Sequence, residues 1–262
     1  MLNMFKKFNL FTGSNADKDI EKYRYDNRAN IVLNSNNFYH TAKTPLCLNI
    51  PNQYYFNLFK EKSNRSKLLE IGAGMGENTK PLLDMSFIVT STDISSSSVE
   101  VMKKKYSEYL NFSAKVADME KLPFNNESFD VVCSAGSLSY GDNAVVMNEI
   151  YRVLKRGGRM IAVDSLNNNP IYRLNRYMHY LKGNRTKSTL IRMPTISLID
   201  KYTEKFGHSE VKFFGSIVWI LPLLSKVLSE QAVTKLSNWI DAKFNIKGSA
   251  FKFVIMLKKN EK

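Results

Sequence analysis

Glu70, Gly72, Gly74 and Gly76 stand within the stretch Lys67-Leu68-Leu69-Glu70-Ile71-Gly72-Ala73-Gly74-Met75-Gly76-Glu77-Asn78-Thr79, a pattern suited to holding a polar small molecule. Glycines at this spacing let the backbone bend sharply and let a ligand approach with no Cβ in the way. A helix opening just beyond them offers unpaired N–H groups to that ligand. A pyrophosphate is the first ligand to test, and it fits poorly. The dinucleotide fingerprint G-x-G-x-x-G needs its third glycine one place later, where this chain has Glu77. Glu70 at the strand end would also repel a pyrophosphate. A carboxylate there suits a cationic ligand better.

The elements that position these residues follow from periodicity. Leu68, Leu69 and Ile71 make a buried strand that runs into a tight turn. Further short apolar strands are expected at residues 87–93, 112–117, 129–134 and 159–164, with helices at 51–60, 99–109 and 143–154. The last of these helices is expected to end on Gly157 and Gly158. Strands alternating with helices at this spacing imply parallel βαβ units in a doubly wound α/β sheet. After Ser165 the rhythm changes. An Asn-, Arg- and Tyr-rich insertion covers 166–195, a helix follows at 195–206, and strands at 210–215 and 251–257 flank a helical insertion at 217–244. That late strand pair makes the sheet mixed. Residues 1–60 read as a polar, helical lead-in or lid, and 61–262 as the domain itself.

A chain of 262 residues, 44% hydrophobic and 24% charged, has the composition of one globular α/β domain with additions. Its net charge of +14 attracts polyanions such as nucleic acid, anionic lipid or acidic glycan, or reflects a generic lysine-rich surface. Cys47 and Cys133 are the only cysteines, and Cys133 lies in an apolar strand as a small core residue. A reducing, cytoplasmic setting is therefore expected. Residues 1–12 lack the continuous apolar core of a signal peptide, and no apolar run is long enough to span a membrane. Peripheral membrane contact fits the basic charge and the apolar segment 217–228.

The motifs from residue 68 onward resemble class I S-adenosylmethionine-dependent methyltransferases of the type 11-like kind, closely over 68–164 and loosely over the terminal strands. The resemblance implies a Rossmann-like, mostly parallel seven-stranded sheet with an antiparallel last strand, a helical lead-in and an insertion after strand five. It also implies S-adenosyl-L-methionine as cofactor. LLEIGAGMGENT corresponds to the family's glycine motif and places Glu70, Gly72, Ala73, Gly74, Gly76 and Thr79 at the cofactor. TSTDIS places Asp93, with Ile94 after it, about twenty residues beyond the first glycine, where a carboxylate accepts from both ribose hydroxyls. ADMEKLPFNNESFDVV resembles the segment that meets the adenine. Asp118 would accept from the exocyclic amine and Met119 would pack on the ring, while Ser134 ends strand four beside them. EIYRVLKRGGRMIAVDS resembles the late helix–turn–strand segment, with Arg156 where the family usually has proline. The reaction implied is direct transfer of a methyl group to a nucleophile without a metal, the protein aligning the partners and, for a hydroxyl, supplying a base.

The acceptor must be read from residues outside this shared core. Tyr25, Arg28, Ser137, Tyr140, Arg173 and Arg176 are the expected acceptor contacts, a set of donors suited to a polyhydroxylated or anionic molecule. The insertion and lead-in look similar to methyltransferases of bacterial surface-glycan and sugar biosynthesis. On that reading the acceptor is a sugar or glycan hydroxyl and His179 or His40 is the base. A lipid or quinone acceptor is the rival, and a non-catalytic cofactor-binding partner subunit is the alternative outside catalysis. The end of strand four reads Ser134-Ala135-Gly136-Ser137 rather than an Asn/Asp-Pro-Pro-Tyr signature, so a nucleic-acid partner is not expected.

Overall fold

The computed structural model of the chain describes residues 16–35, 37–38, 49–60, 65–224, 227–244 and 246–261. Seven strands form one sheet: β1 (Lys67–Ile71), β2 (Ile88–Asp93), β3 (Phe112–Val116), β4 (Phe129–Ala135), β5 (Leu154–Ser165), β6 (His208–Phe214) and β7 (Lys252–Lys258). Their spatial order is β3-β2-β1-β4-β5-β7-β6. The first five pair in parallel. β7 is antiparallel to both β5 and β6, so it alone runs against the rest. The order reverses beside β1, which places a crevice at the carboxyl ends of β1 and β4, where open α/β sheets bind ligands.

Alternation along each strand builds two apolar layers. Leu69, Ile71, Val132 and Met160 face one layer with Val146, Met147 and Ile150 of helix α5 (Asn143–Val153). Leu68, Val131, Cys133 and Ile161 face the other with Leu82, Phe87 and the aromatic pair Tyr55 and Phe59. The reading of Cys133 as a core residue agrees with this burial.

Four helices precede α5 in the chain: α1 (Ala16–Ser35), α2 (Asn49–Asn57), α3 (Thr79–Asp84) and α4 (Ser96–Lys105). Asp142 opens α5 by accepting from the amides of Ala144 and Val145. That helix stops at Val153, before the glycines expected to end it. Gly157 and Gly158 instead shape the bent start of β5, where Gly157 donates to the Lys259 carbonyl and Lys259 donates back to Gly158. Arg156 projects outward there and pairs with Glu127 at 3.5 Å.

The insertion after β5 folds into α6 (Pro170–Leu181) and α7 (Lys187–Ile191), and α8 (Ile196–Phe206) follows. Asn169 caps α6 through the Ile171 amide, and Gly207 ends α8 with φ of 83°. The continuous helical stretch expected over 218–244 is broken into a short 3-10 turn (Val218–Ile220), α9 (Leu221–Leu224) and α10 (Glu230–Phe244). Pro222 removes a backbone donor, and the Ser229 hydroxyl accepts from the Ala232 amide to start a new helix. No described helix is long and apolar enough to cross a membrane.

Candidate cofactor and acceptor site

The loop after β1 is set by close approach. Gly72 has φ of 59°, and a Cβ there would lie 2.4 Å from the Cβ of Ser137. Only glycine can bring the two loops this near. Asp93, at the end of β2, holds the same loop from the other side. Its Oδ2 accepts from the Gly74 amide and its Oδ1 from the Ser95 amide, both at 2.9 Å. Burial raises the Asp93 pKa against these two amides, and the nearby charges of Glu77 and Asp26 add to the rise.

Glu70 does not reach the ligand hollow, contrary to the sequence expectation. Its Oε2 accepts from the hydroxyls of Thr79 at 2.6 Å and Ser91 at 2.7 Å, clamping the start of α3 to β2. Burial pushes its pKa up to about 7, although both hydroxyls oppose the shift. Glu70 and Thr79 therefore work as a bracket beneath the glycine loop.

Helix α1 roofs the crevice. Lys18, Glu21, Tyr25 and Arg28 all line a hollow of about 290 Å³ together with the glycine loop, Asp93, Ile94, Asp118 and Ser137. Their spacing puts them on one helical face. Little apolar packing holds this roof, since Ala29 is the one fully buried residue of α1. Polar latches hold it instead. Lys18 pairs with Asp118 at 2.7 Å and Glu120 at 2.6 Å. Burial alone would lower the Lys18 pKa, but the two carboxylates outweigh it and raise it. Asp26 accepts from the Ser95 hydroxyl at 2.6 Å and the Ser97 amide at 3.2 Å. Toward the insertion, Asp17 accepts from the Ser188 amide and Arg24 donates to the Gly183 carbonyl.

A second hollow of about 380 Å³ shares Glu21, Tyr25, Arg28 and Tyr140 with the first and continues to Arg24, Asn27, Gly183 and Asn184. Tyr25 and Tyr140 form the wall common to both. Their hydroxyls are 3.1 Å apart and their rings meet edge to face at 5.8 Å. Burial raises both phenol pKa values, so neither is poised to act as a base near neutrality.

The structure thus gathers Gly72, Ala73, Gly74, Asp93, Ile94 and Asp118, and beside them Tyr25, Arg28, Ser137 and Tyr140. The other expected site residues lie elsewhere. Gly76 turns away and its carbonyl accepts from the Tyr106 hydroxyl. Met119 does not line the hollow but lies just behind it, packed on the apolar layer of α5 with its Cε 3.3 Å from where a Cβ on Gly72 would stand. Ser134 is buried with its hydroxyl 2.7 Å from that of Ser137. Arg173 lines a separate outer groove with Leu174 and Tyr177. Arg176 is buried, donates to the Leu166 carbonyl at 2.9 Å, and has its pKa lowered by burial to about 10. His179 is exposed on α6 beside Asn184 and lines neither hollow. His40 lies outside the described residues. Lys18 and Glu21 were not expected at the site. The one signal for them was their helical spacing from Tyr25 and Arg28.

The hollow has the chemistry of a cation site. Four carboxylates (Glu21, Glu77, Asp93 and Asp118) face Lys18 and Arg28 in it, within a chain whose net charge is +14. S-adenosylmethionine, with an ammonium, a sulfonium and a ribose, fits this donor set. Among the described residues no cluster of His, Cys, Asp or Glu is arranged to hold a metal ion.

Comparison with known proteins agrees with this geometry. Residues 69–162 match the family described as "Methyltransferase domain". That match spans 94 of the 262 residues. Over 113 residues the chain is 34% identical to sterol 4-C-methyltransferase strm-1 of Caenorhabditis elegans, covering 42% of this chain and 34% of that protein. Over 108 residues it is 32% identical to demethylmenaquinone methyltransferase of Thermotoga maritima, covering 39% of this chain and 45% of that one. The chain therefore spans under half the length of these curated relatives. Among solved structures, phosphoethanolamine N-methyltransferase 2 of Haemonchus contortus in complex with S-adenosyl-L-methionine superposes with a TM-score of 0.56 at 16% identity, over 80% of this chain and 52% of that one. The [4+2]-cyclase SpnF superposes with a TM-score of 0.51 at 16% identity, over 79% of this chain and 80% of that one. Such likeness shows the fold alone.

Proposed function

We propose that the chain is an S-adenosylmethionine-dependent methyltransferase that O-methylates a sugar or glycan hydroxyl. The acidic hollow supports the cofactor. Asp93 would hold the ribose hydroxyls, Asp118 the adenine amine, and the glycine loop the amino-acid portion. When bound, the cofactor supplies an activated methyl group on its sulfonium. The protein's own part is to align the acceptor, exclude water beneath α1 and take up the hydroxyl proton.

One observation carries the acceptor class. The second hollow is walled by Glu21, Arg24, Tyr25, Asn27, Arg28, Tyr140, Gly183 and Asn184, with no aliphatic side chain among them. A sterol would find no aliphatic side chain to pack on there, whereas a polyol can bond the charged and amide groups and lay its ring on the Tyr25 and Tyr140 faces. Glu21 is the carboxylate common to both hollows, and its Oε1 is oriented by Arg24 at 2.9 Å and the Thr186 amide at 3.3 Å. It is the base in this reading, in place of His179.

Calorimetry with S-adenosylmethionine tests the first half: no binding removes the enzymatic reading. Methyl-labelled cofactor incubated with sugars, nucleotide sugars and glycan fractions, and in parallel with quinone and sterol extracts, tests the second. Label that enters only the lipid phase rejects the sugar acceptor.

A further inference from the structure

Two helices at one corner of the fold are turned inside out. α6 carries Ile171, Leu174, Met178 and Leu181 at helical spacing, and all four are between 43% and 63% exposed. Its buried residues are Tyr172 and Arg176. α10 buries Val233, Ser237 and Asp241 while Leu236, Trp239 and Phe244 face outward. An amphipathic helix normally turns its apolar stripe to the core, and a large exposed apolar patch marks an interaction surface.

The two helices share one corner. Asp241 accepts from the amides of Gly215 and Ser216, and the Tyr172 hydroxyl reaches the Gly215 carbonyl at 3.4 Å. Asn169 and Trp219 both donate to the Ser249 hydroxyl. Gly215 follows the end of β6 and α6 follows the end of β5, so the corner lies on the edge of the sheet that also carries the hollows.

Charge identifies the partner. Residues 166–195 contain no Asp or Glu, and Arg173 on α6, Lys182 just after it and Lys187 at the start of α7 are exposed. On α10, Lys243 sits 5.2 Å from the Trp239 ring centre, and Asp241 is buried, which leaves Glu230 as the exposed acid of 217–247. A second copy of this chain would bring the same cations into register and repel. A nucleic acid has no use for the leucines. Aliphatic and aromatic side chains ringed by lysine and arginine match a lipid surface with anionic headgroups.

We propose that the α6–α10 corner docks the protein on an anionic bilayer surface, with Leu174, Leu181, Trp239 and Phe244 entering the boundary between headgroups and acyl chains. This goes beyond methyl transfer and does not depend on the acceptor. Trp219 and Trp239, the only two tryptophans, both lie at the corner and report on it directly. The full chain is mixed with vesicles of phosphatidylcholine alone or with added phosphatidylglycerol. Co-sedimentation and a blue-shifted tryptophan emission with the anionic vesicles only, both weakened by salt, are expected. Lys182→Glu with Lys187→Glu should lower vesicle partitioning about tenfold. Leu174→Ser with Leu181→Ser should do so by a similar factor of about ten, with unchanged circular dichroism and melting. Partitioning that neither pair alters, or no partitioning at all into anionic vesicles, overturns the proposal. A concentration-dependent dimer abolished by the leucine pair overturns it in favour of a protein interface.

Discussion

Replacing Glu70 by glutamine separates a bracket from a ligand contact. The carboxylate is 2% exposed and accepts from two hydroxyls, Thr79 and Ser91. Burial moves its pKa from 4.5 to about 7, so between those values the folded state holds a proton that the unfolded chain has released. Stability must therefore fall as pH rises through that window, with no cost below it and the full cost above it. A shift of this size corresponds to about 3 kcal/mol. Glutamine keeps an acceptor oxygen for both hydroxyls and cannot ionise. Glu70→Gln should match the parent protein at pH 4 and exceed it at pH 8 by up to about 3 kcal/mol, roughly 6–12 °C in melting temperature for a chain of this size. Asp93 and Asp164, whose pKa values burial also raises, leave a residual slope in both proteins. Urea melts at intervals from pH 4 to pH 8 measure the difference. Equal pH slopes in the two proteins would refute the assignment. Because the carboxylate does not line the hollow, the affinity for S-adenosylmethionine should stay within about threefold, and a larger loss would return Glu70 to the ligand.

Three further substitutions probe the hollows. Asp93→Ala removes the acceptor that ties Gly74 and Ser95 together and would bind ribose. It should weaken S-adenosylmethionine binding by ~1–3 kcal/mol in calorimetry, and an unchanged affinity would move the ribose elsewhere. Gly72→Ala places a Cβ 2.4 Å from Ser137 and forces a side chain into φ of 59°. A stability loss of about 1–3 kcal/mol with weakened cofactor binding is expected, and full binding would show that the loops need not approach so closely. Glu21→Gln should lower kcat by about 10²–10⁴-fold, well beyond any weakening of cofactor binding. A normal kcat would assign the proton to another group.

The parts of the fold that could be read in advance are those written in local period. Short apolar runs ending in a glycine or an acid revealed the strands, and the glycine spacing revealed the loop whose approach to Ser137 now explains it. Glu70 was misplaced although the information was present. It shares strand parity with Leu68, which faces the layer under α3, and it pairs in register with Ser91. A residue on that face points into a helix-covered layer and away from the crest. The insertion misled for a different reason. Its arginines and histidine looked like acceptor contacts, but α6 turns inward on Tyr172 and Arg176, so Arg173 and His179 face outward. Only Gly183 and Asn184 of that segment reach the second hollow.

This division bears on how far the relatives can be followed. The family match ends at residue 162, and it contains the glycine loop, Asp93 and Asp118 but no residue of α1. The second hollow is built almost wholly outside that segment, with Tyr140 as the one shared member. A resemblance confined to that segment does not extend to the side chains that would meet the acceptor from above. On the proposed reading the acceptor is set by α1 and the 183–184 turn, and exchanging Asn27 on α1 and Asn184 in that turn, which line the second hollow alone, should change acceptor preference while leaving cofactor affinity in place.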